Sequence, residues 1–501
     1  MVKLQFHKVE DWPKLAWVAQ GQYHCQNLVV FHGRCVELSD QWCAEAVWAG
    51  EFSDGDFDKT EIVFGTGIRC REQQVVFVSS GTMMDRLWMW ESSGRFYLSN
   101  SLPALLACTG QSLSEAYLDY PRDIHTMTQG LHQYCDSIPA EGGGLGLAYY
   151  HNVVYDGCCL RKMDKVNTAP EIPCYTAYLE YLKTIARQLR INYQSPARKF
   201  IVSPLATVSA GYDSCAAAKL ARDAGCRETV TIVNASSFLP RKDSGREAAR
   251  YLDLSCREYH HRQRNYRYEV SVWSAAGEPA GLNLTIFDYP EPLCLFFTGY
   301  RGDSLWRREK LDRSEPFAVN TIEGLGMCEY RLIQGIFHCP VPFWGSRRAE
   351  QIQAITFSPE MEPWTLHTHY DRPIPRRILE EAGVPRNCFG IRKEATIVDR
   401  SFLWPFLPES RACFAAYLQE RNLYSPSASA LWLLRKLAHL DQLVTVNLNH
   451  ILKKRRKGFR HLFQIQGQTY LFHWANTELK KRYQKAFHKT LSSLPQEKHD
   501  D

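Results

Sequence analysis

A chain of 501 residues that is 45% hydrophobic and 23% charged has the composition of a folded protein of two or three domains, not of a disordered or fibrous one. Its formal charge of +6 is mild for the length, which argues against a nucleic-acid-binding protein. No stretch of about 18 apolar residues occurs and residues 1–7 carry no apolar leader segment, so a soluble, cytoplasmic protein without a membrane partner is expected. The seventeen cysteines include no Cys-x-x-Cys pair, and several, such as Cys294, sit in apolar runs; they read as free thiols in a reducing compartment.

Taken in chain order, the first ~165 residues are strand-rich. Runs at 28–31, 74–78, 87–90 and 96–98 are β-branched or aromatic and bounded by turn residues. Glu141-Gly142-Gly143-Gly144 predicts a turn feeding a further strand at 145–150. The polar, Pro-containing stretch 162–173 reads as a linker. Leu179, Leu182, Ile185 and Leu189 then recur at helical spacing. From about residue 200 strands and helices alternate. Apolar runs at 200–202 and 205–208 precede a helix-like segment from Ser214 to Ala221, and Thr229-Val230-Thr231-Ile232-Val233 predicts a second buried strand. That alternation predicts a parallel sheet with crossover helices, and a ligand at the carboxyl ends of its strands. Residues 402–452 are helical by pattern. The basic run Lys453-Lys454-Arg455-Arg456-Lys457 reads as a solvated helix end, with polyanion binding as the alternative.

Three loops carry candidate chemistry. Ser209-Ala210-Gly211-Tyr212-Asp213-Ser214 joins a buried strand to a helix start. Unpaired N–H groups at a helix start carry partial positive charge and hold phosphate. Ser209 and Ser214 can donate hydroxyl hydrogen bonds, and Gly211 admits an anion close to the main chain. Asp213 repels phosphate directly, so its natural partner is a Mg2+ that the phosphate also ligates. The second loop, Gly299-Tyr300-Arg301-Gly302-Asp303, follows the apolar run Phe296-Phe297-Thr298. Two aspartates on two strand-end loops can share one Mg2+. The third, Ile391-Arg392-Lys393-Glu394, offers a lysine to neutralise charge on a departing phosphate. Each loop alone also reads as a capped turn, a plain turn or a surface ion-pair cluster.

In this order the three loops resemble the asparagine synthetase family of N-type ATP pyrophosphatases. That family's first loop is Ser-Gly-Gly-x-Asp-Ser, with Ala210 here in place of a glycine. Its second is Gly-x-Gly-Ala-Asp; the variant Thr-Gly-Tyr-Gly-Ala-Asp of its β-lactam synthetase members is the nearer parallel to 298–303. Val341-Pro342-Phe343-Trp344-Gly345 looks like the family's Val-Pro-Phe-Leu-Asp, Lys393 like the lysine of its Arg-Pro-Lys, and 243–249 like its post-strand helix start. The segments 85–90 and 96–105 resemble the end of the family's glutaminase domain.

The resemblance implies an N-terminal-nucleophile-hydrolase-like αββα domain over 1–165, an adenine-nucleotide α-hydrolase-like parallel-sheet synthetase domain over 175–450 with helical additions, and a basic extension over 451–501. It implies that Ser209, Gly211, Tyr212, Asp213, Ser214 and Gly299 bind ATP, that Asp213 and Asp303 hold Mg2+, and that Tyr300, Glu329 and Lys393 are catalytic. Glu329 would partner Tyr300 in deprotonating an amine. Residue two is Val2 rather than the family's nucleophilic Cys, Cys25 and Cys35 lie well inside, and no Asn-Gly-Glu glutamine-binding segment occurs, so the glutaminase half is expected to be degenerate. The expected activity is therefore an AMP-forming amide ligase. Its substrates would be a small-molecule, peptide or sugar carboxylate together with ammonia or a substrate amine, and a homodimer is allowed. A non-catalytic nucleotide- or partner-binding protein is the alternative, motivated by Ala210 and Arg301.

Overall fold

Side-chain alternation organises the first half of the chain. In the strand Trp42–Trp48, the residues Trp42, Ala44, Ala46 and Trp48 pack with Phe52 and Phe57 on one face. Cys43, from the other face, joins an apolar cluster between two sheets, and Glu45 enters a buried charge network. This is the two-residue period of a strand sandwiched between different surroundings. The structure is a computed structural model, and it describes residues 2–233, 244–260, 266–277, 279–308, 315, 317–320, 322, 324–325, 327–368, 370–390, 403–452 and 465–493.

The strands of this half are β1 (Lys3–Lys8), β2 (Trp17–Gln22), β3 (Asn27–His32), β4 (Glu37–Ser39), β5 (Trp42–Trp48), β6 (Val63–Arg71), β7 (Gln74–Val78), β8 (Arg86–Ser92), β9 (Arg95–Ser99), β10 (Ser137–Ala140), β11 (Gly143–Tyr149), β12 (Asn152–Tyr155) and β13 (Leu160–Met163). They form a seven-stranded sheet, β1-β3-β2-β9-β8-β11-β10, and a six-stranded sheet, β13-β12-β7-β6-β5-β4. Only β1 and β3 pair in parallel. Leu4, Trp17, Val30 and Leu98 of the first sheet meet Ile68, Val75 and Phe77 of the second in one cluster, so the sheets face each other. Helix α1 (Leu102–Thr109) begins where Ser101 accepts a hydrogen bond from the Ala104 N–H, and it stops at Gly110, whose φ of 73° is left-handed. A short helix, α2 (Tyr120–His125), follows.

Helix α3 (Tyr175–Tyr193) buries Leu182, Ile185 and Leu189 at the spacing read from the sequence. Beyond it the chain runs β14 (Val202–Thr207), α4 (Tyr212–Asp223), β15 (Glu228–Val233), α5 (Arg246–Tyr251), β16 (Ser255–His260), α6 (Glu269–Ser274), β17 (Leu293–Thr298), α7 (Gly302–Leu305), α8 (Met327–Gln334) and β18 (Ile336–Pro340). The two apolar runs near residue 200 contribute to a single strand, β14, which takes Val202 from the first and Leu205, Ala206 and Thr207 from the second. The sheet order is β16-β15-β14-β17-β18, and every neighbouring pair is parallel. Covered on both faces, β17 is apolar up to its last residue: Leu293, Cys294, Leu295, Phe296 and Phe297 are each wholly buried. The fold is thus mixed α/β, with one parallel sheet beside two mostly antiparallel ones.

The remaining helices are α9 (Ala349–Thr356), α10 (Pro373–Glu381), α11 (Pro408–Gln419), α12 (Ala428–Leu452) and α13 (Leu471–Ser493). The expected basic extension contains α13, which is an integral packing element. Its Phe487 meets Phe31 edge-on at 4.8 Å, and the Trp12 Nε1–H donates to the Tyr483 carbonyl at 3.0 Å. The basic run 453–457 lies outside the described residues. All seventeen cysteines are free. No helix among the described residues is long and apolar enough to cross a membrane.

Buried charge joins the two halves. Arg331 of α8 donates to Asp85 Oδ1 at 2.6 Å and to both carboxylate oxygens of Glu45 on β5, at 2.7 and 3.0 Å. Burial disfavours the guanidinium, but the two carboxylates outweigh it and its pKa is raised. Arg331→Met strands two carboxylates away from water, and removing one partner of such a network costs about 3–5 kcal/mol. We expect a clear drop in the denaturant midpoint, followed by circular dichroism; an unchanged midpoint would show that the network contributes little to holding the halves together.

Candidate functional site

The strand order reverses at β14: the chain leaves it toward β15 and β16, then returns on its other side as β17. In open α/β sheets this switch point opens a crevice beyond the carboxyl ends of the strands. β14 and β17 lie side by side, with Ala206 opposite Phe297. The loops leaving them are the two acidic loops read from the sequence. The first, and the strand end before it, also receives the segment that opens α5: Ser209 forms a β-bridge with Ser244, and Gly245 lies against Val208.

The acidic loops touch. A Cβ on Gly299 would stand 2.5 Å from the Asp213 carbonyl carbon, and one on Gly302 would stand 2.5 Å from Asp213 Cγ. Only glycine leaves room for this approach. Arg301, between the two glycines, is left-handed at φ 74°. Its buried guanidinium donates to the Pro342 carbonyl at 3.2 Å and to Ser346 Oγ at 2.7 Å, over the Phe343 ring. Those anchors hold a conformation that costs an L residue about 1–2 kcal/mol. Burial pulls the Arg301 pKa down to about 10.

Within the first loop, Ser209 Oγ and Ser214 Oγ are 2.7 Å apart, and the Gly211 N–H donates to Ser209 Oγ at 3.2 Å. Gly211 is extended at φ −85°, so its backbone conformation does not demand glycine. The Ala210 carbonyl accepts from the Gly390 N–H at 2.8 Å. Tyr212 is wholly buried, its ring packed against Tyr370, Phe389 and Gly390, and its hydroxyl accepts from Arg376. The expected ligand role of Tyr212 is therefore confined to its main chain; the side chain is a packing element.

Asp213 opens α4, and its carboxylate is ion-paired with the buried Arg372, just before α10. Arg372 is the residue that sequence reading missed. It lies in the loop-like stretch 371–377, and nothing in its spacing points to a carboxylate 159 positions earlier. Burial lowers the Arg372 pKa to about 10. Asp213 Oδ1 is buried and accepts no hydrogen bond. Asp303 is half-buried in α7, one residue beyond the glycine that abuts Asp213 Cγ. No cluster of three or more His, Cys, Asp or Glu suited to a metal occurs among the described residues, so protein carboxylates here supply at most part of a coordination shell.

Tyr300 is half-buried, its ring parallel to Phe343 with centroids 6.4 Å apart. Below it Thr298 Oγ1 lies 2.8 Å from His338 Nε2, and burial lowers the His338 pKa to about 4, which keeps the ring neutral. Lys393 and its neighbours fall outside the described residues. Glu329 is turned elsewhere. On α8, Met327 and Tyr330 pack on the parallel sheet. Glu329 instead accepts hydrogen bonds from Ser101 Oγ at 2.9 Å and from the Tyr483 hydroxyl at 3.0 Å. Its carboxyl thus joins α8 to α1 and α13, which replaces the expected partnership with Tyr300. No family model matches the sequence, and no curated protein matches it either.

The Glu329 carboxyl is raised from 4.5 to about 7 because burial outweighs the hydrogen bonds and arginines that favour its charged form. The folded state therefore binds this proton more tightly than the unfolded chain does. The stabilisation is complete below the unfolded value, is lost as pH rises toward the folded one, and amounts to about 3 kcal/mol. Glu329→Gln cannot ionise. The wild-type thermal midpoint should fall relative to that of E329Q between about pH 5 and about pH 8; parallel profiles would assign the proton elsewhere.

Proposed function

We propose that this chain is an ATP-dependent carbon–nitrogen ligase of the asparagine synthetase type, which adenylates a carboxylate and passes the acyl group to an amine. One observation carries the reading. Two acidic loops some 90 residues apart in sequence touch at the sheet's switch point, with Gly299 and Gly302 pressed against Asp213. The left-handed Arg301 supports it, because the family motif has glycine at that position.

In this reading ATP lays its phosphates along the N–H groups and hydroxyls of 209–214, at the start of α4. Asp213 and Asp303 would hold Mg2+, and the unpartnered Asp213 Oδ1 is an oxygen suited to it. When bound, the ion supplies positive charge to the phosphates. The substrate carboxylate oxygen attacks the α-phosphorus, and the bond to pyrophosphate breaks. The amine nitrogen then attacks the acyl carbon, and the bond to AMP breaks. Tyr300 assists removal of the amine proton, and Lys393 balances charge on the departing phosphate. Arg372 supports the site by holding Asp213 in place. The acyl donor is a small-molecule, peptide or sugar carboxylate; the acceptor is ammonia or a substrate amine. The finer domain assignment, a degenerate glutaminase-like half before an ATP-pyrophosphatase half, belongs to this proposal, as does a cytoplasmic location.

A second reading is a nucleotide- or partner-binding protein without turnover. It is favoured by Arg372, which already neutralises the Asp213 carboxylate, and by the diversion of Glu329 to Tyr483.

The deciding measurement is pyrophosphate release over a panel of carboxylates and amines, beside calorimetric titration with Mg·ATP. Asp213→Ala should lower pyrophosphate release at least about 10²-fold, the usual loss for one electrostatic group of this kind. Gly299→Val should abolish Mg·ATP binding, because its side chain collides with the Asp213 main chain. Binding without release by the wild type would support the second reading, and an Asp213→Ala protein as fast as the wild type would end the first.

A further inference from the structure

Two adjacent residues at the junction of the halves each keep one buried polar atom in reserve. Arg86 opens β8. Its guanidinium donates from Nη1 to the Tyr149 hydroxyl at 2.7 Å and from Nη2 to the Ala275 carbonyl at 3.1 Å, while its buried Nε–H finds no acceptor among the described residues. Asp85 gives Oδ1 to Arg331 at 2.6 Å, while its buried Oδ2 accepts nothing among them. Both residues are 4% exposed. A guanidinium N–H and a carboxylate oxygen are costly to leave dry at this depth, and buried polar groups are almost always partnered.

Both residues line one small cavity. It has about 10 Å3 of free space, and its wall also includes Asn100, Ser274, Cys328 and Glu329. That is about the least space that admits a single water molecule. The wall is drawn from both halves: Asn100 lies just before α1, Ser274 ends α6, and Cys328 and Glu329 are on α8.

Three of these side chains are already engaged. Asn100 Nδ2 donates to the Leu15 carbonyl at 2.9 Å and to Glu45 Oε1 at 3.1 Å, and its Oδ1 accepts from the Trp17 N–H at 2.9 Å. The Ser274 hydroxyl donates to the Ser271 carbonyl at 2.9 Å, and the Cys328 thiol to the Met84 carbonyl at 3.1 Å. Glu329 takes both of its hydrogen bonds, from Ser101 and Tyr483, on Oε1, which leaves Oε2 for a third partner.

The chemistry of the remaining groups selects the occupant. Arg86 Nε–H can only donate and Asp85 Oδ2 can only accept. A cation would lie against the guanidinium and an anion against the carboxylate. A small neutral molecule that both accepts and donates satisfies the two together. The Glu329 carboxyl, whose pKa burial raises to about 7, adds a donor as the acid and an acceptor once ionised. Three hydrogen bonds are the usual complement of a buried water. We propose that one water molecule is a resident part of this fold, bound by Arg86 Nε, Asp85 Oδ2 and the Glu329 carboxyl and shared by the two halves. It extends the Arg331–Asp85 pairing to β8 and α8 through a single bridging molecule. The proposal is independent of the ligase reading.

The test is a crystal structure of the full chain at a resolution that shows ordered water, beside crystals soaked in rubidium and in bromide salts. One density peak should lie within about 3 Å of all three groups, with no anomalous signal from either ion in the cavity. A dry cavity between halves docked in this way would overturn the proposal, and so would an anomalous peak inside it. In solution, magnetic relaxation dispersion of the water signal counts internal waters that exchange slowly. Asp85→Leu combined with Arg86→Met removes two of the three partners, and the count should fall by one relative to the wild type. An unchanged count in a folded double variant would remove the assignment to these residues; if that variant does not fold, the density decides.

Discussion

The parallel pairing of β14 with β17 is the constraint on which the rest of the site depends. It brings together two strand ends whose loops are far apart in the chain, and the match of Val202 to Leu293 through Ala206 to Phe297 sets how they meet. A slip of one residue would turn the wholly buried side chains of β17 from one face to the other. Because that strand is covered on both faces, the register is held by packing on each side. The loops inherit that rigidity, and glycines at 299 and 302 convert it into contact with Asp213. Removing the Cβ at those positions is what turns two neighbouring loops into one surface.

Charge does a different job at the margins of this surface. Asp213 with Arg372, and Arg331 with Glu45 and Asp85, are both buried groupings of opposite charge. The second lies between the antiparallel half and the parallel half, and each of its three members comes from a different stretch of chain. Buried ion pairs add little net stability against an apolar replacement, but they tolerate few alternative arrangements. They therefore suit places where two sheets must dock in one way. Glu329, tied to Ser101 and Tyr483 across the same junction, is held by hydrogen bonds that a carboxylic acid makes at less desolvation cost than a carboxylate does.

Much of this was legible in the sequence, for local reasons. β7 and β15 stand out because β-branched runs bounded by turn residues have few other readings. The helix at 175–193 follows from its leucine and isoleucine spacing. The two acidic loops are recognisable because strand, glycine and aspartate stand next to one another in the chain. What stayed hidden depends on contacts between distant residues. Arg372 is one arginine among several in its stretch, and only the fold selects it for Asp213. Glu329 looked available for Tyr300 because sequence order says nothing about which side of α8 it occupies. Tyr212 sits inside the loop motif, yet its ring faces inward under Gly390, a direction that motif spacing leaves open. Helix α13 falls in the stretch read as a basic extension after the run 453–457, whereas Leu471, Phe472, Trp474, Leu479 and Tyr483 form its buried side.

The position of α13 in the chain also bears on biosynthesis. Trp12 and Phe31 complete their surroundings only with Tyr483 and Phe487, more than 450 residues further along the chain. During translation the outer surface of the seven-stranded sheet, including α1, must therefore wait uncovered while more than 300 further residues are made. An apolar surface exposed for that long is one that chaperones bind. The nascent polypeptide thus stays open to aggregation through that surface until helix α13 covers it.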